Sequence, residues 1–291
     1  ILFFMLYIFL TVMAKLPLAW LYMLANCLAV VLYIFPSSFK KITRTNLKLV
    51  YPKLSNDEQK RLLRHSLTHQ CYTYVESVKC WGMPKAYSLS LIQAVEGEQL
   101  LKQALADDKG VIMVLTHFGC WELLNVWVNE YTEPMIMYKP NKNKAVDRFI
   151  FKARQNFKAS LVATDKTGVG AIFKHLKQGG LTMILPDHLP KPSGGIYAQF
   201  FGQEILCTTL VSKLAQKTQS HVLGLSCIRQ KDGFKIVCQK MHTDIASTDL
   251  HRSVTVLNQN MEQMINQAPE QYIWSYKRFR KMLTQPNLYS K

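Results

Sequence analysis

The sequence is poor in acidic residues and has no organised cysteine pattern. It contains 19 Asp and Glu against 36 Lys and Arg, which gives a formal net charge of +17 at pH 7. Its seven cysteines are scattered without a CxxC pair. This pattern is typical of free thiols in a reducing compartment and argues against a disulfide framework or a zinc cage. The sequence also has no internal repeat and no low-complexity linker.

Three common functional motifs are also missing. Ser193-Gly194-Gly195 is not a phosphate-binding P-loop, because no Lys-Ser/Thr pair follows at the required position. His65 and His69 are four residues apart, but they lack the Glu of a zinc protease and a third ligand. Ser226 lacks the second glycine of a nucleophile elbow. We therefore expect no cofactor and no metal.

The excess of positive charge favours an anionic partner. Nucleic acid, an anionic membrane surface and acidic soluble substrates all fit such a charge. The basic residues are dispersed, and the sequence contains no helix-turn-helix, zinc-finger or RNA-binding signature. Nucleic acid is therefore not expected as a partner, and the N-terminus favours an anionic membrane.

Residues 1–35 predict a membrane anchor. They contain a single charge, Lys15, and Leu16–Phe35 is a run of 20 uncharged residues, long enough to cross a bilayer core. Basic residues follow at once: Lys40, Lys41, Arg44, Lys48 and Lys53. By the positive-inside rule, residues 36–291 form a catalytic domain on the cytoplasmic side. A single tilted or kinked span is favoured over a pair of helices lying in the membrane interface.

The rest of the chain alternates between strand-like and helix-like segments. A capping box at Ser55 and Glu58 opens a helix toward Lys79, and an amphipathic stretch covers 86–106. The predicted buried strands are 111–115, 134–138, 160–163 and 181–185, with helices at 121–131, 144–157 and 169–177 between them. A hairpin of 221–230 and 233–240 turns at Asp232-Gly233, and a helix follows over about 249–267. This order predicts an α/β fold with a central mixed, mostly parallel sheet covered by helices, preceded by the N-terminal membrane-anchoring helix.

The candidate catalytic residues are His117 and Glu122. His117 follows the apolar run Val111–Leu115, and Glu122 lies at the start of the next helix. Open α/β sheets place their chemistry at such strand ends. On one continuous helix the two side chains would point about 140° apart. They can meet only if His117 precedes the helix, and Gly119 permits the required bend.

In that geometry Glu122 accepts a hydrogen bond from one imidazole nitrogen, and the other nitrogen is free to take a proton. The pair is similar to the His-Asp part of a catalytic triad. Because no nucleophile lies nearby, a hydroxyl of the substrate is predicted to attack. The developing oxyanion has two candidate donors, namely Arg154 and backbone N–H groups near Gly119–Trp121. The alternative is a purely structural histidine, since the H-x4-E spacing alone is not specific.

Four further residues are candidates for substrate binding. Lys139 follows a strand, and Arg154, in the next helix, can pair with a phosphate or carboxylate or can be a solvated charge. Asp187 follows another strand and can orient Arg154 or His117, or can cap the loop. Thr208 lies where a helical run is expected to begin and can offer its hydroxyl to an anion, or the segment can be a plain N-cap.

These motifs together resemble the late acyltransferases of lipid A biosynthesis, the lauroyl and myristoyl transferases of Gram-negative bacteria, within the lysophospholipid acyltransferase superfamily. The resemblance covers nearly the whole chain. It rests on the apolar N-terminus and on the segments 44–52, 117–122, 138–141, 153–154, 186–188, 200–202, 208–209 and 269–274. The H-x4-E element indicates only the superfamily, whereas Pro186-Asp-His188 and Pro269-Glu-Gln-Tyr-Ile-Trp274 are specific to the lipid A branch.

The resemblance implies an inner-membrane acyltransferase facing the cytoplasm. Its donor would be a fatty-acyl thioester of acyl carrier protein, and its acceptor the hydroxyl of an acyl chain on a lipid A precursor. Both partners are anionic, which agrees with the charge of this chain. The alternatives are an acyltransferase for another glycolipid or a lysophospholipid, a thioesterase in which the same base activates water, and a basic membrane-anchored binding module without activity.

Overall fold

A computed structural model describes residues 2–156, 159–285 and 288–289. The helices are α1 (Leu2–Lys15), α2 (Leu18–Ile34), α3 (Ser38–Val50), α4 (Asn56–Gly82), α5 (Lys85–Ser90), α6 (Glu98–Ala106), α7 (Trp121–Val128), α8 (Lys144–Asn156), α9 (Lys166–Lys177), α10 (Leu210–Thr218) and α11 (Leu250–Ile265). The strands are β1 (Ile92–Glu96), β2 (Val111–Val114), β3 (Met135–Tyr138), β4 (Ser160–Ala163), β5 (Leu181–Ile184), β6 (Gly195–Phe200), β7 (Gln203–Thr208), β8 (His221–Gln230) and β9 (Gly233–Lys240).

The predicted fold class is confirmed. Seven described strands form one sheet in the order β1-β9-β8-β2-β5-β3-β4. Only β8 and β9 are antiparallel neighbours in it, and the other neighbouring pairs are parallel. Ile112 and Val114 of β2 pack into one apolar core, whereas Val111 and Met113 pack into another. The sheet is therefore buried on both faces, which explains why its central strands read as unbroken apolar runs.

Most of the predicted elements form with nearly the predicted bounds. The four strands predicted as buried are present within one residue of the expected bounds, but only β2 and β5 are buried throughout, whereas β3 is mostly half-buried and β4 is half-buried to exposed. The hairpin of β8 and β9 has the predicted limits. The capping box at Ser55 and Glu58 opens α4. Asp249 caps α11 by accepting hydrogen bonds from the N–H groups of His251 and Arg252. The predicted helix 144–157 is described up to Asn156, and Phe157 lies outside the described residues.

Two stretches differ from the prediction. The stretch 86–106 is not one amphipathic helix, because Ile92–Glu96 pairs with β9 as a parallel edge strand and Gly97 (φ +74°) separates it from α6. Beyond the loop after Asp187, the chain forms a separate hairpin of β6 and β7. Thr208 consequently ends β7 rather than beginning a helix, and α10 begins at Leu210.

The N-terminal apolar residues form two helices rather than one. Among the described residues, no single helix combines the length and apolarity needed to cross a bilayer, although α1 from Phe4 and α2 do so together, with a bend of 117° between them. Lys79 of α4 fixes this bend, since its Nζ donates hydrogen bonds to the carbonyls of Ala14 (2.7 Å) and Leu16 (2.8 Å). Helix α1 packs against α4 and α8, and α2 packs against α4. The division of the chain at residue 35 stays a prediction.

Candidate active site

Two neighbouring strands bring His117 and Asp187 together. In the parallel pair of β2 and β5, Val114 lies opposite Ile184. His117 and Asp187 each follow three residues later, so they meet at the carboxyl edge of the sheet. The Nδ1 of His117 lies 2.8 Å from Oδ1 of Asp187, and the backbone N–H of His117 donates to Oδ2 at 2.9 Å. Because an ionised carboxylate only accepts hydrogen bonds, Nδ1 carries the proton in this contact.

The predicted hydrogen bond between His117 and Glu122 is not formed. Asp187 reaches the imidazole from the adjacent strand and occupies Nδ1. Glu122, in the first turn of α7, instead accepts a hydrogen bond from Nη2 of Arg154 at 3.3 Å. The two carboxylates therefore have different partners: Glu122 binds the guanidinium of Arg154, and Asp187 binds the imidazole of His117.

The backbone between His117 and α7 is held by contacts with the carbonyl groups of Cys227 and Gln271. Gly119 has φ +58°, and a Cβ there would lie 1.9 Å from the carbonyl oxygen of Cys227, so only glycine fits. The N–H of Gly119 donates to the carbonyl of Gln271, and that of Cys120 donates to the carbonyl of Cys227. Two of the three amides predicted as oxyanion donors are thus already bonded, which leaves Trp121 and Arg154 as the candidates.

Burial and charge separate the two members of the His-Asp pair. Asp187 is completely buried, whereas the His117 side chain is 21% exposed. Burial by itself would raise the pKa of Asp187. The charge of His117 and its two hydrogen bonds outweigh that effect and hold the pKa of Asp187 well below its usual range. An ionised Asp187 can fix the orientation of the ring, and within the described residues Nε2 makes no hydrogen bond.

His117 faces a largely apolar cavity of about 520 Å³. Glu122, Arg154 and Thr208 also line it. The apolar part of the wall includes Trp81, Leu115, Ile136, Met137, Met183 and Leu185. Lys139 is exposed at the end of β3 and is not among the lining residues. The cavity thus brings together most of the predicted polar residues with an apolar surface of the size that binds small organic ligands.

Arg154 enters the cavity from α8 with unused hydrogen-bonding capacity. Its guanidinium lies 5.4 Å from the centre of the Tyr138 ring. Its Nε is buried and has no partner among the described residues. A planar cation with free N–H groups is well suited to binding an anionic oxygen.

The sequence analysis assigned no role to His188, although it lies in the cavity wall beside Asp187. Its ring stacks on that of His117, with centroids 3.7 Å apart and planes 3° apart. Burial, reinforced by the charge of His117, lowers the pKa of His188 to about 4, so its ring is neutral at pH 7. The triplet Pro186-Asp187-His188 was a visible signal, but the stacking depends on the sheet order.

Of the two histidines spaced four residues apart in α4, His65 is exposed, whereas His69 contacts other protein groups. Nδ1 of His69 lies 2.8 Å from Nη1 of Arg229, which donates to it. Arg229 in turn forms a buried ion pair with Glu76. Within the described ranges, no group of three or more His, Cys, Asp or Glu side chains is arranged to hold a metal ion.

The fold and the site define the class of protein: an α/β protein with an imidazole–carboxylate pair facing an apolar cavity at the carboxyl edge of its sheet. A family model described as bacterial lipid A biosynthesis acyltransferase matches residues 1–281. The chain belongs to this family, and it is an acyltransferase of lipid A biosynthesis.

Individual relatives agree with this membership at low identity. A lipid A biosynthesis palmitoleoyltransferase of Escherichia coli K12 is 25% identical over 244 residues, which are 83% of this chain and 78% of the relative. A lipid A biosynthesis lauroyltransferase of the same organism is 23% identical over 243 residues, covering 82% and 78%. A lipid A biosynthesis acyltransferase of Haemophilus influenzae is 24% identical over 244 residues, covering 82% and 76%.

Proposed function

We propose that this protein transfers a fatty acyl group from the thioester of acyl carrier protein to the hydroxyl of an acyl chain on a lipid A precursor, with His117 as the general base. One observation carries the proposal. The buried carboxylate of Asp187 binds Nδ1 of an imidazole that lines an apolar cavity at the carboxyl edge of the sheet. This leaves Nε2 as the nitrogen that can act on a bound hydroxyl.

The reaction needs no nucleophile from the protein. Nε2 of His117 takes the proton of the acceptor hydroxyl, and the alkoxide oxygen attacks the thioester carbonyl. As the tetrahedral intermediate collapses, the carbon–sulfur bond breaks. The imidazolium returns its proton to the departing thiolate of the carrier. An ester, a free carrier thiol and the original enzyme result.

Asp187 and Glu122 support different parts of this reaction. Asp187 is a positioning residue, because its carboxylate keeps the proton on Nδ1 and so keeps Nε2 free to accept one. Glu122 holds Arg154 at the cavity wall. Arg154 lines the cavity, and the accessible part of its guanidinium binds either the developing oxyanion or an anionic group of a substrate.

The remaining candidates serve substrate binding. Thr208 lines the cavity, and because its hydroxyl oxygen already accepts a hydrogen bond from the N–H of Leu210 at 3.3 Å, its O–H is the group left to donate to a substrate. Lys139 lies outside the cavity and is proposed to attract the anionic partners at long range. With a net charge of +17, the protein attracts both an acidic carrier protein and a phosphorylated glycolipid.

We also propose that α1 and α2 attach the protein to the inner membrane, with the α/β domain on the cytoplasmic side. Both helices expose large apolar side chains, namely Phe4, Met5, Ile8, Phe9, Val12, Trp20, Met23, Leu24, Leu28, Val30, Val31 and Ile34. Lys40, Lys41 and Arg44 follow directly and suit anionic lipid headgroups. The bend fixed by Lys79 favours a pair of helices lying in the interface over the single span expected from the sequence.

The test is an acyl-transfer assay with the full chain in lipid. Purified protein is incubated with acyl carrier protein thioesters and a panel of acceptors: a lipid A precursor, another glycolipid and a lysophospholipid. Mass spectrometry then follows the products. The proposal predicts acylated lipid A precursor together with free carrier. Thioester loss without acylated lipid would identify a thioesterase, and acylation of a different lipid would reassign the acceptor.

A further inference from the structure

Three aromatic rings form a stack that ends on His117. The ring of His188 lies parallel to that of His117, with centroids 3.7 Å apart and planes 3° apart. The other side of His188 stacks on Tyr276, with centroids 4.0 Å apart and planes 23° apart. Trp121 meets His117 edge-on at 5.2 Å. One face of the His117 imidazole is thus covered by the ring of His188, and the other face of His188 packs against Tyr276.

The carboxylate of Asp187 alone does not fix the plane of the imidazole. One side-chain hydrogen bond, between Nδ1 and Oδ1, holds one edge of the ring. The ring can still rotate through combined small changes of χ1 and χ2 that keep this hydrogen bond, and such a turn would swing Nε2 away from a bound hydroxyl. A parallel ring in van der Waals contact blocks this rotation.

Tyr276 is held in its own place at both ends. Its hydroxyl oxygen accepts a hydrogen bond from the N–H of Leu189 at 3.1 Å. Its carbonyl oxygen accepts one from Nδ2 of Asn46 at 2.9 Å. The stack is therefore anchored to the segment after β5 and to α3, and the Tyr276 ring covers the face of His188 that is turned away from His117.

The charges around His188 favour a neutral ring. Burial and the charge of His117, with a smaller contribution from Arg278, lower the pKa of His188 and outweigh Asp187, which raises it. A neutral aromatic face next to a ring that becomes positively charged during proton transfer stabilises that charge. His188 is a poor proton acceptor in this setting, so it does not compete with His117 for the role of base.

We propose that His188 is a positioning residue for the acyl transfer: its ring fixes the plane of the His117 imidazole and stabilises the imidazolium that forms in the transition state. This inference rests on the proposed function of His117 as the general base. It assigns a role to the third residue of the Pro186-Asp-His188 motif, and that role depends on an aromatic ring and not on the ring nitrogens.

The test compares His188→Ala with His188→Phe in steady-state acyl transfer. Alanine removes the stack, and we expect kcat to fall on the order of 10- to 100-fold while KM for each substrate stays within about threefold. Phenylalanine keeps an aromatic face between His117 and Tyr276 but has no ring nitrogen, and it should restore kcat to within about threefold of the original value. His251→Ala, an exposed histidine of α11, is the matched control and should leave both constants unchanged.

Two results would overturn the inference. If His188→Phe is as defective as His188→Ala while its unfolding temperature is unchanged, the ring nitrogens matter and the stack does not. If His188→Ala keeps its kcat, the stack has no role in the reaction. His117→Ala, measured alongside, separates the two proposals: an active His117→Ala refutes the general base itself, whereas an inactive one together with an active His188→Ala refutes only the stack.

Discussion

His117 interacts with a carboxylate that is distant in sequence rather than with the nearest one. Asp187 lies 70 positions away and binds both the ring and the backbone of His117. Glu122, five positions away, binds Arg154. At the scale of single residues, Asp187 therefore orients the His117 imidazole and Glu122 holds the Arg154 guanidinium, and under the proposed function substitutions of the two carboxylates should have different effects.

Asp187→Asn and Glu122→Gln, assayed side by side, test this division. Asparagine keeps the shape of Asp187 but offers an N–H group in place of an ionised oxygen, which favours the wrong tautomer of His117. We expect kcat to fall about 10²- to 10⁴-fold. Glu122→Gln keeps a hydrogen-bond acceptor for Arg154. Its fold-loss of kcat should be at least tenfold smaller than that of Asp187→Asn. If kcat falls more in Glu122→Gln than in Asp187→Asn, Glu122 and not Asp187 orients His117.

Two half-buried histidines, His69 and His188, predict how stability depends on pH. Burial lowers the pKa of His188 to about 4, and burial beside Arg229 lowers that of His69 to about 3. The unfolded chain takes up these protons near pH 6.5, whereas the folded chain does not. Stability should therefore fall as the pH drops from about 6.5 to about 4, by up to about 1.4 kcal/mol per pH unit for each histidine.

His69→Gln isolates one of these two protons. Glutamine can still accept the hydrogen bond from Arg229, but it does not titrate. Urea unfolding at pH 7, 6 and 5 should show a dependence on pH that is shallower by about one proton in the variant. Equal slopes in the two proteins would mean that His69 is protonated in the folded state.

The sequence was sufficient to place His117 at the end of a buried strand but not to find its carboxylate partner. The apolar run Val111–Leu115 marks that strand, so a histidine at the carboxyl edge of the sheet was predictable. Asp187 follows the strand 181–185 at the same spacing, but the adjacency of β2 and β5 is a property of sheet order, which does not follow chain order. Proximity in sequence therefore favoured Glu122. The stacking of His188 depends on the same adjacency.

At the scale of secondary-structure elements, the turn from β2 to α7 is the most constrained segment of the site. Gly119 combines a positive φ with close contact to the carbonyl of Cys227. Gly119→Ala should lower the free energy of unfolding by about 3 kcal/mol or more, since strain and overpacking add. Urea unfolding measures this loss.

Gly170 provides the matched control. It lies in α9, and a Cβ there would meet nothing within 4 Å. Gly170→Ala should stabilise the protein by about 0.5–1 kcal/mol, because alanine is the better helix former. If Gly119→Ala were equally well tolerated, the backbone of this turn would not be fixed in the way described.

Secondary-structure elements with a strong local sequence signal were predicted correctly, and those without one were missed. The Asp-Gly signal in Lys231-Asp232-Gly233 gave the hairpin of β8 and β9 with correct bounds, because the two-residue turn Lys231-Asp232 between Gln230 and Gly233 sets the register by itself. The edge strand β1 was missed, since three of its five residues are exposed, the other two are half-buried, and all lie inside an amphipathic stretch. The hairpin of β6 and β7 was missed because the preceding loop, rich in Pro and Gly, predicted no regular structure.

At the scale of the whole molecule, the exposed apolar side chains of α1 and α2 are followed directly by the basic residues Lys40, Lys41 and Arg44. The α/β class was predictable from the alternation of segments. The bend between α1 and α2 was not, because it depends on a hydrogen bond from Lys79 to Ala14, 65 positions apart. The same sequence is compatible with a single span or with a bent pair of helices, and only tertiary contacts discriminate between them.

Cys27 is a natural reporter for this surface, since it is exposed on α2 while the other six cysteines are buried. An environment-sensitive fluorophore on Cys27 should shift to shorter wavelength when vesicles are added, and more strongly with anionic than with zwitterionic lipid. Replacement of Lys40, Lys41 and Arg44 by Glu should abolish the lipid preference. A label that stays exposed to water in both kinds of vesicle would contradict membrane attachment through α2.

The most direct test of the account is the rate of acyl transfer from acyl carrier protein thioester to a lipid A precursor by the His117→Ala variant. The account predicts a loss of at least about 100-fold, with an unchanged unfolding temperature, because no other described group has an imidazole nitrogen both oriented by Asp187 and open to the cavity. Transfer near the original rate by the folded variant would contradict it.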